Sequence, residues 1–346
     1  MVKAEVEQHT PSVATHGAGV SPISARVWVA GTIIVVLGLV PVLAATLGQP
    51  FYVTLVSRIM IFALAALGLN LILGFGGMVS FGHALYIGVG AYAVGILSFH
   101  GITNGYVHVA AALAAGCILA TVIGLVCLRA SGVAFIMITL AFAQMFYFLA
   151  VSLKQYGGDD GYGLSARSDF GVIDIGNNTV LYYVIYAILM LTLFVLHRLV
   201  HARFGMVLRG SKANERRMRA MGFPTVLFKL IAYVISALIC VLAGVLLANL
   251  TRFMSPSYMQ WTMSGDILLM AVLGGVGTLV GPIVGAGVWL TLEEVLSSIN
   301  LALPWGLDEF VREHWTGVLG IVVIVVAIFL KEGIYGYLVE RDEARR

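Results

Sequence analysis

Several side chains that could form hydrogen bonds or exchange protons stand inside long apolar stretches of this sequence. Asn70 is followed by Ser80 and His83, and Thr139 and Gln144 lie in a later apolar stretch. A polar group in apolar surroundings needs a partner, so these residues predict either hydrogen bonds between helices or the lining of a polar pathway. For His83, proton sensing is a further alternative, because an imidazole titrates near neutral pH.

Two glycine-rich segments resemble each other and interrupt apolar runs. Gly76-Gly77 is followed by Ser80 and Gly82, and a second Gly-Gly pair at 274–275 is followed by Thr278 and Gly281. Glycine allows a turn or a close helix approach, so helix packing alone is one reading of each glycine. Paired interruptions of this kind are also typical of transporters built from related halves. We therefore predict two related halves and a substrate pathway formed by Asn70, Gly76, Gly77, Ser80, His83, Thr139, Gln144, Gly274 and Gly275.

No motif for catalysis or for nucleotide binding is found in the sequence. It contains no Gly-Lys pair and hence no phosphate-binding loop, and no HExxH, CxxC or GxSxG pattern. Cys117, Cys127 and Cys240 all lie in apolar stretches, where cysteine usually fills space. We predict a chain that is not an enzyme and holds no metal or cofactor. If ATP drives its activity, separate subunits must bind the ATP-Mg.

Composition places these residues in a membrane protein. Of the 346 residues 60% are apolar and only 11% are charged, whereas soluble domains carry about 25% charged residues. Runs of about 20 apolar residues predict an all-α polytopic protein of about ten transmembrane helices in two related halves. We place the spans near 28–47, 53–74, 82–99, 109–128, 133–153, 179–199, 227–249, 258–274, 282–298 and 315–330. The remainder is predicted to form cytoplasmic tails over 1–27 and 331–346, outside a transmembrane domain of 28–330.

The charges of two loops predict the orientation. From Arg198 to Gly222 the chain has seven basic residues and a single acidic one, Glu215. The loop 154–178 has four aspartates against Lys154 and Arg167. Basic loops stay in the cytoplasm, so the loop of about 200–226 is predicted to be cytoplasmic, as are both termini. Basic residues there also suit anionic lipid, while a net charge of +3 gives no argument for nucleic acid.

Several motifs resemble one family, the LivM-type permeases of branched-chain amino-acid ABC importers. The similarity covers about 55–335 and keeps its order. It is carried by Gly68-Leu69-Asn70-Leu71-Ile72-Leu73-Gly74, Ser80-Phe81-Gly82-His83, Gly88-Val89-Gly90-Ala91-Tyr92, Gly157-Gly158-Asp159-Asp160-Gly161, Arg203-Phe204-Gly205, Leu273-Gly274-Gly275 and Gly281-Pro282.

The resemblance implies a permease subunit in the bacterial inner membrane that works with other proteins. The expected partners are a second, LivH-type permease, two cytoplasmic ATP-binding subunits and a periplasmic solute-binding protein. The basic loop is expected to dock on an ATPase, although Gly210-Ser211-Lys212-Ala213 departs from the usual Ala-Ile-Arg-Glu pattern there. The residues expected in this coupling loop are Arg203, Phe204, Gly205, Leu208, Arg209, Glu215, Met218, Met221 and Gly222.

Two alternatives stay open at this point. Importers of urea, short amides or aromatic acids have similar subunits, so the substrate could belong to one of those classes. An ion-coupled secondary transporter is a different class of protein, which usually has more acidic or histidine residues at the membrane midplane. Of the charges within the predicted spans, Arg58 and Asp266 both fall near the outer ends.

Overall fold

The computed structural model describes residues 25–171, 174–298, 316–321, 324 and 333–336, and most of them are helical. The first helix begins at Ala25, inside the tail predicted for 1–27. The helices are α1 Ala25–Leu47, α2 Phe51–Asn70, α3 His83–Phe99, α4 Gly105–Cys127, α5 Val133–Ser152, α6 Asn178–His201, α7 Arg203–Ala220, α8 Thr225–Thr251, α9 Trp261–Gly274 and α10 Gly281–Ser298. Residues 316–321, 324 and 333–336 are also helical.

Short irregular segments connect α5 to α6 and α8 to α9. They pair through two antiparallel strands, β1 Tyr162–Gly163 and β2 Phe253–Met254. Three 3-10 turns flank these strands, at Lys154–Tyr156, Gly158–Asp160 and Pro256–Met259. The two segments therefore form one small cap over the same end of the helices.

Five of the helices in the described ranges are long and apolar enough to cross a membrane. They are Phe51–Phe75, Gly105–Cys127, Val133–Ser152, Asn178–His201 and Thr225–Thr251. Shorter apolar helices are Gly31–Thr46, His83–Phe99 and Trp261–Gly274, and α9 begins later than the predicted span 258–274. The helical class is confirmed, whereas the count of ten spans and the two related halves stay predictions, and most of the span 315–330 lies outside the described residues.

The centre of the helix bundle is formed by α2, α3 and α8. In the apolar part of α2 83% of the residues are buried and in that of α8 67%, against 22–28% in α4, α5 and α6. Glycines allow α3 and α8 to touch along their backbones. A Cβ on Gly244 would lie 2.0 Å from the carbonyl oxygen of Ile87, and one on Gly90 would lie 2.2 Å from that of Val241. The outer helices α4, α5 and α6 carry exposed apolar residues on the outside of the bundle.

A proline inside α1 frees a backbone carbonyl for a side chain of α6. Pro41 has no N–H, so the carbonyl of Leu37, one turn earlier, loses its helical partner. The hydroxyl of Tyr182 on α6 donates a hydrogen bond to that carbonyl, and Tyr186 donates one to Ile34 O at 3.1 Å. Two tyrosines thus join α1 to the bundle where its backbone offers acceptors.

Candidate functional site

The first glycine-rich segment breaks the path between α2 and α3. Helix α2 ends in a π-helical turn, Leu71–Phe75, and residues 76–82 then run without regular structure until α3 begins at His83. Gly77 has a φ of +69°, and a Cβ on Gly76 would lie 2.7 Å from the carbonyl oxygen of Ile72. Glycine is therefore required here both for the turn and for the close return of the chain.

The second glycine-rich segment breaks the path between α9 and α10. Gly275 and Gly277 have φ values of 123° and 81°, outside the range of most side chains. The hydroxyl of Thr278 donates to Gly275 O at 2.8 Å and accepts from Gly281 N at 3.1 Å, which caps the start of α10. A Cβ on Gly274 would lie 1.9 Å from the carbonyl oxygen of Gly281, so the end of α9 touches the start of α10.

The two breaks, about 200 residues apart in the chain, meet in the fold. The side chain of Asn70 donates to Thr278 O at 2.6 Å and accepts from Gly277 N at 2.9 Å. A Cβ on Gly74 would lie 2.5 Å from the amide nitrogen of Gly277. A break inside a membrane protein frees backbone groups that need protein partners, and the Asn70 amide supplies two of them. We call this contact of Asn70 and Gly74 with residues 274–278 the inner junction.

A second group of polar side chains surrounds His83. Its Nδ1 lies 2.9 Å from Ser80 Oγ and its Nε2 lies 2.9 Å from Ser236 Oγ. Ser236 donates its only hydroxyl proton to Gly68 O at 2.5 Å, so Nε2 must carry the proton that it donates to Ser236. If the ring is neutral, Nδ1 accepts from Ser80. Both ring nitrogens are hydrogen-bonded, and the rings of Tyr86 and Tyr233 enclose the imidazole edge-on at 5.7 and 5.4 Å between centroids.

Hydroxyl groups from two neighbouring helices satisfy backbone amides next to His83. Thr139 on α5 accepts from Phe81 N at 3.2 Å, and Ser264 on α9 accepts from Ala84 N at 2.9 Å. Thr139 also donates to Ile136 O at 2.9 Å. These contacts attach the non-helical segment 76–82 to α5, and the first turn of α3 to α9.

The structure brings together most of the predicted pathway residues, but in two groups. Asn70, Gly76, Gly77, Gly274 and Gly275 lie at or beside the inner junction, while Ser80, His83 and Thr139 lie around the start of α3. Gln144 is half-buried on α5 and belongs to neither group. Their contact with substrate stays a prediction.

Sequence reasoning missed the serines that complete these contacts. Ser236 and Ser264 are fully buried within apolar helices, where an unpaired hydroxyl would be costly. That placement was the available signal in the sequence.

The predicted coupling loop forms a helix, α7, with a break at Asn214. Asn214 has φ −157° and ψ 96°, and its side chain accepts from Arg217 N at 3.0 Å, which caps the second half of the helix. At the other end, a Cβ on Gly205 would lie 2.0 Å from Val200 O, so only glycine fits the tight turn from α6. The orphan carbonyl of Val200 also accepts from Arg209 at 3.1 Å.

Helix α7 is held to the bundle by buried apolar residues and by ionic contacts. Leu208 and Met218 are buried, and the ring of Phe204 lies 5.6 Å from that of Phe228 between centroids. Glu215 contacts Arg219 at 2.5 Å and Lys229 on α8 at 2.7 Å. Desolvation acts to raise the pKa of Glu215, but the hydrogen bonds and charges of Lys229 and Arg219 outweigh it and leave that pKa lowered.

One side chain joins α7 directly to the inner junction. Lys212 donates from Nζ to Gly74 O at 2.7 Å. That carbonyl belongs to the last turn of the helix that α2 forms, where carbonyls lack helical partners and a cation is favourable. Lys212 stands in the segment that departs from the family pattern, so the resemblance offered no basis for predicting this contact.

The surface of α7 differs from the sequence prediction in its apolar residues. Met218 packs against the rest of the protein and is only 9% exposed, whereas Met221 is 57% exposed. Met206 at 56% and Phe223 at 40% are also exposed and were not predicted. Arg203 is exposed, and Gly222 has a φ of 86° in the turn that follows α7. The residues able to meet a partner are therefore Met206, Met221 and Phe223, while Met218 shapes α7 itself.

Comparison with known proteins places this arrangement in a family. Residues 51–328 match the family model described as "Branched-chain amino acid transport system / permease component". The high-affinity branched-chain amino acid transport system permease protein LivM of Salmonella typhimurium is 26% identical over 301 residues, which cover 76% of this chain and 69% of that protein. LivM of Escherichia coli is 27% identical over 297 residues, with the same coverage.

LivH of Escherichia coli, a permease protein of the same kind of system, is 25% identical over 262 residues, 70% of this chain and 84% of LivH. No solved structure matches the chain. The family match extends from the start of α2 past the inner junction and includes α7. This multi-pass membrane protein therefore belongs to the family of permease components of branched-chain amino acid transport systems.

Proposed function

We propose that this chain is a LivM-type permease subunit of an ATP-driven importer of branched-chain amino acids. It forms the translocation pathway together with a second, LivH-type permease. Two cytoplasmic ATP-binding subunits supply the energy, and a periplasmic solute-binding protein delivers the substrate in the bacterial inner membrane. The family match supports the class of substrate, since the matching relatives are named as permeases for branched-chain amino acids.

One observation carries the coupling to ATP hydrolysis. The contact from Lys212 Nζ to Gly74 O gives a surface helix a direct hold on a broken membrane helix. An ATPase that moves α7 would move the inner junction through this contact. A secondary transporter has no need of such a docking helix, so the connection favours the importer.

The docking surface is the exposed side of α7 and of the turn that follows it. Met206, Met221 and Phe223 supply apolar area, and Arg203, Arg216 and Arg217 add exposed positive charge on the same helix. Apolar anchors in a charged rim are the usual composition of a protein interface. The basic residues alone would also be explained by anionic lipid, and the apolar anchors distinguish the two readings.

The test of the docking surface is Met221→Asp in the full complex. An unpaired carboxylate in a desolvated contact costs on the order of 3 kcal/mol, so ATPase binding should weaken about a hundredfold. Co-purification with the ATPase and ATP-dependent leucine uptake into proteoliposomes are measured, with Met221→Leu as the matched control. Normal binding and uptake with Met221→Asp, at normal membrane levels, would refute the docking surface.

The test of the energy source uses the wild-type protein. Purified alone, the chain should neither hydrolyse ATP nor accumulate leucine, while the complex with its partners should do both. Uphill uptake by the single chain, driven by a proton or sodium gradient, would refute the importer and support the secondary transporter.

A further inference from the structure

A large open cavity lies beside α2, α9 and α10. Its volume is about 740 Å³, within the usual range of ligand sites, and it is bounded by α2, α9, α10 and the helical segment 316–321. Aromatic rings supply much of its wall, among them Phe62, Trp261 and Trp289. Such a wall suits an apolar side chain of a small solute.

Three charged side chains among the described residues line this cavity, and their signs do not balance. Arg58 contacts Glu293 at 3.3 Å and lies over the ring of Phe62 at 5.8 Å. Asp266 also lines the cavity, and among the described residues it forms no ion pair. Within the described part of the chain, one cation against two anions leaves one negative charge in excess.

The charged groups are well placed to be used by a ligand. Charges within apolar helices are costly and are usually retained for function. Arg58 carries five N–H donors, of which a single hydrogen bond, to Glu293, is formed in the described part of the chain. The guanidinium therefore has donors left for a carboxylate, and Asp266 has acceptors left for an ammonium group.

The cavity is continuous with the first break. Phe81, from the non-helical segment 76–82, lines it, and the backbone amide of Phe81 is held by Thr139. Gly265 on α9 faces the same ring, since a Cβ built on it would lie 3.8 Å from Phe81 Cε1. A solute in the cavity therefore contacts the segment that connects, through Gly74, to Lys212 on α7.

We propose that this cavity is a subsite of the translocation pathway that binds the zwitterion of an α-amino acid. Asp266 receives the ammonium group, Arg58 receives the carboxylate, and the aromatic wall receives the apolar side chain. The inference rests on the proposed function, because it names the place where the imported solute is held. Urea or a short amide lacks both charges and would leave Asp266 and Arg58 unused.

The first test is Asp266→Asn in the complete complex in proteoliposomes. Leucine imported per ATP hydrolysed should fall at least about tenfold, because the ammonium loses its ionic partner. ATP hydrolysis stimulated by the binding protein should persist. Glu294→Gln is the matched control: Glu294 neighbours Glu293 on α10 but does not line the cavity. Unchanged import per ATP with Asp266→Asn would overturn the subsite.

A second measurement does not depend on how Asp266→Asn folds. Thr262 lines the cavity and is exposed, so Thr262→Cys should react with a methanethiosulfonate reagent in a Cys117→Ser background, which removes an exposed thiol. Leucine should slow this reaction at least about threefold. The compound 4-methylpentanoate, which is leucine without its ammonium group, should not.

The outcomes separate this inference from the proposed function. A wild-type complex that fails to import leucine refutes the proposed function. A wild-type complex that imports leucine but gives Thr262→Cys no protection refutes the subsite alone. Equal protection by leucine and by 4-methylpentanoate refutes the role of Asp266 in recognising the ammonium group.

Discussion

The polar groups at the two ends of helix α2 have opposite surroundings. Near its last turn, Asn70 uses both its donor and its acceptor on residues 277 and 278, and glycines leave no space between the segments. Near the first turns of α2, Arg58 lines a cavity of about 740 Å³. Asp266 lines the same cavity and forms no ion pair within the described ranges. The same helix thus carries a closed contact at one end and an open, charged cavity at the other.

The difference indicates what each end can do in transport. A closed, hydrogen-bonded contact has no room for a solute, but it transmits displacement, because packed surfaces resist deformation. An open cavity with excess charge does not transmit displacement, but it has room for a solute. On this view, polar residues of the inner junction position the backbone, and those of the cavity recognise the solute.

The largest effect is expected from Gly274→Ala, which breaks the closed end. The added Cβ would lie 1.9 Å from the Gly281 carbonyl oxygen. This clash is with the backbone, which cannot change rotamer to relieve it as a side chain can. We expect leucine uptake to fall to background and the free energy of unfolding to fall by about 1–3 kcal/mol. Proteoliposome uptake and thermal unfolding in detergent are the measurements.

The matched control for Gly274→Ala lies on the same helix pair. A Cβ on Gly287 of α10 would meet nothing closer than Ile59 Cγ2 at 4.0 Å, so Gly287→Ala should retain uptake and stability. If Gly274→Ala behaved like Gly287→Ala, the inner junction would not be a closed contact.

A smaller effect is expected from Lys212→Met, which removes the connection between α7 and the closed end. Methionine keeps most of the apolar stem but cannot donate to Gly74 O. A hydrogen bond from a charged donor contributes about 1.5–3 kcal/mol, so leucine imported per ATP should fall about tenfold. The ATPase should still bind, because the exposed anchors of α7 are unchanged.

Arg216→Met serves as the control, since it removes an equal charge from an exposed position of α7. If the two variants lose uptake equally, charge rather than the contact with Gly74 is what matters. Loss in Lys212→Met alone would support a mechanical role of this side chain.

The sequence predicted the helical membrane class, the family and the residues of both breaks. Asn70 was expected either to join helices or to line a pathway, and the structure shows the helix-joining bonds. That both glycine-rich segments meet could not be predicted, because the contact depends on how α2 packs against α9 and α10. Local patterns give composition and period, while contacts between distant segments arise only from packing.

The coupling loop shows the same limit. Its amphipathic residues predicted a docking segment, but Met218 and Met221 were treated alike. Met218 packs against Gly210, where a Cβ would lie 2.7 Å from the methionine sulfur, whereas Met221 at the end of α7 is exposed. Both follow the break at Asn214, and neither the break nor the contact with Gly210 is visible in residue spacing.

The smallest effect is expected from Glu215→Gln. This variant makes the same acid-to-amide change as Asp266→Asn, but at a carboxylate that is already paired with cations, so it sharpens the comparison. The pKa of Glu215 is lowered in the folded chain despite desolvation, because Lys229 and Arg219 favour the ionised form. Its ion pairs therefore stabilise the fold above the ordinary carboxyl pKa of 4.5, and this stabilisation is lost as the pH falls through the lower folded-state pKa. The site is partly exposed, so the contribution is about 1 kcal/mol or less.

Thermal unfolding should separate wild type from Glu215→Gln at pH 7.5, and the difference should shrink towards pH 4. Asp159→Asn, an exposed acid-to-amide change in the cap segment, is the matched control for the change of side chain itself. Leucine import per ATP should stay near the wild-type value with Glu215→Gln, since this carboxylate has its cations already. A loss of import as large as that of Asp266→Asn would show that paired and unpaired acids matter equally, and the contrast between the closed and open ends would fail.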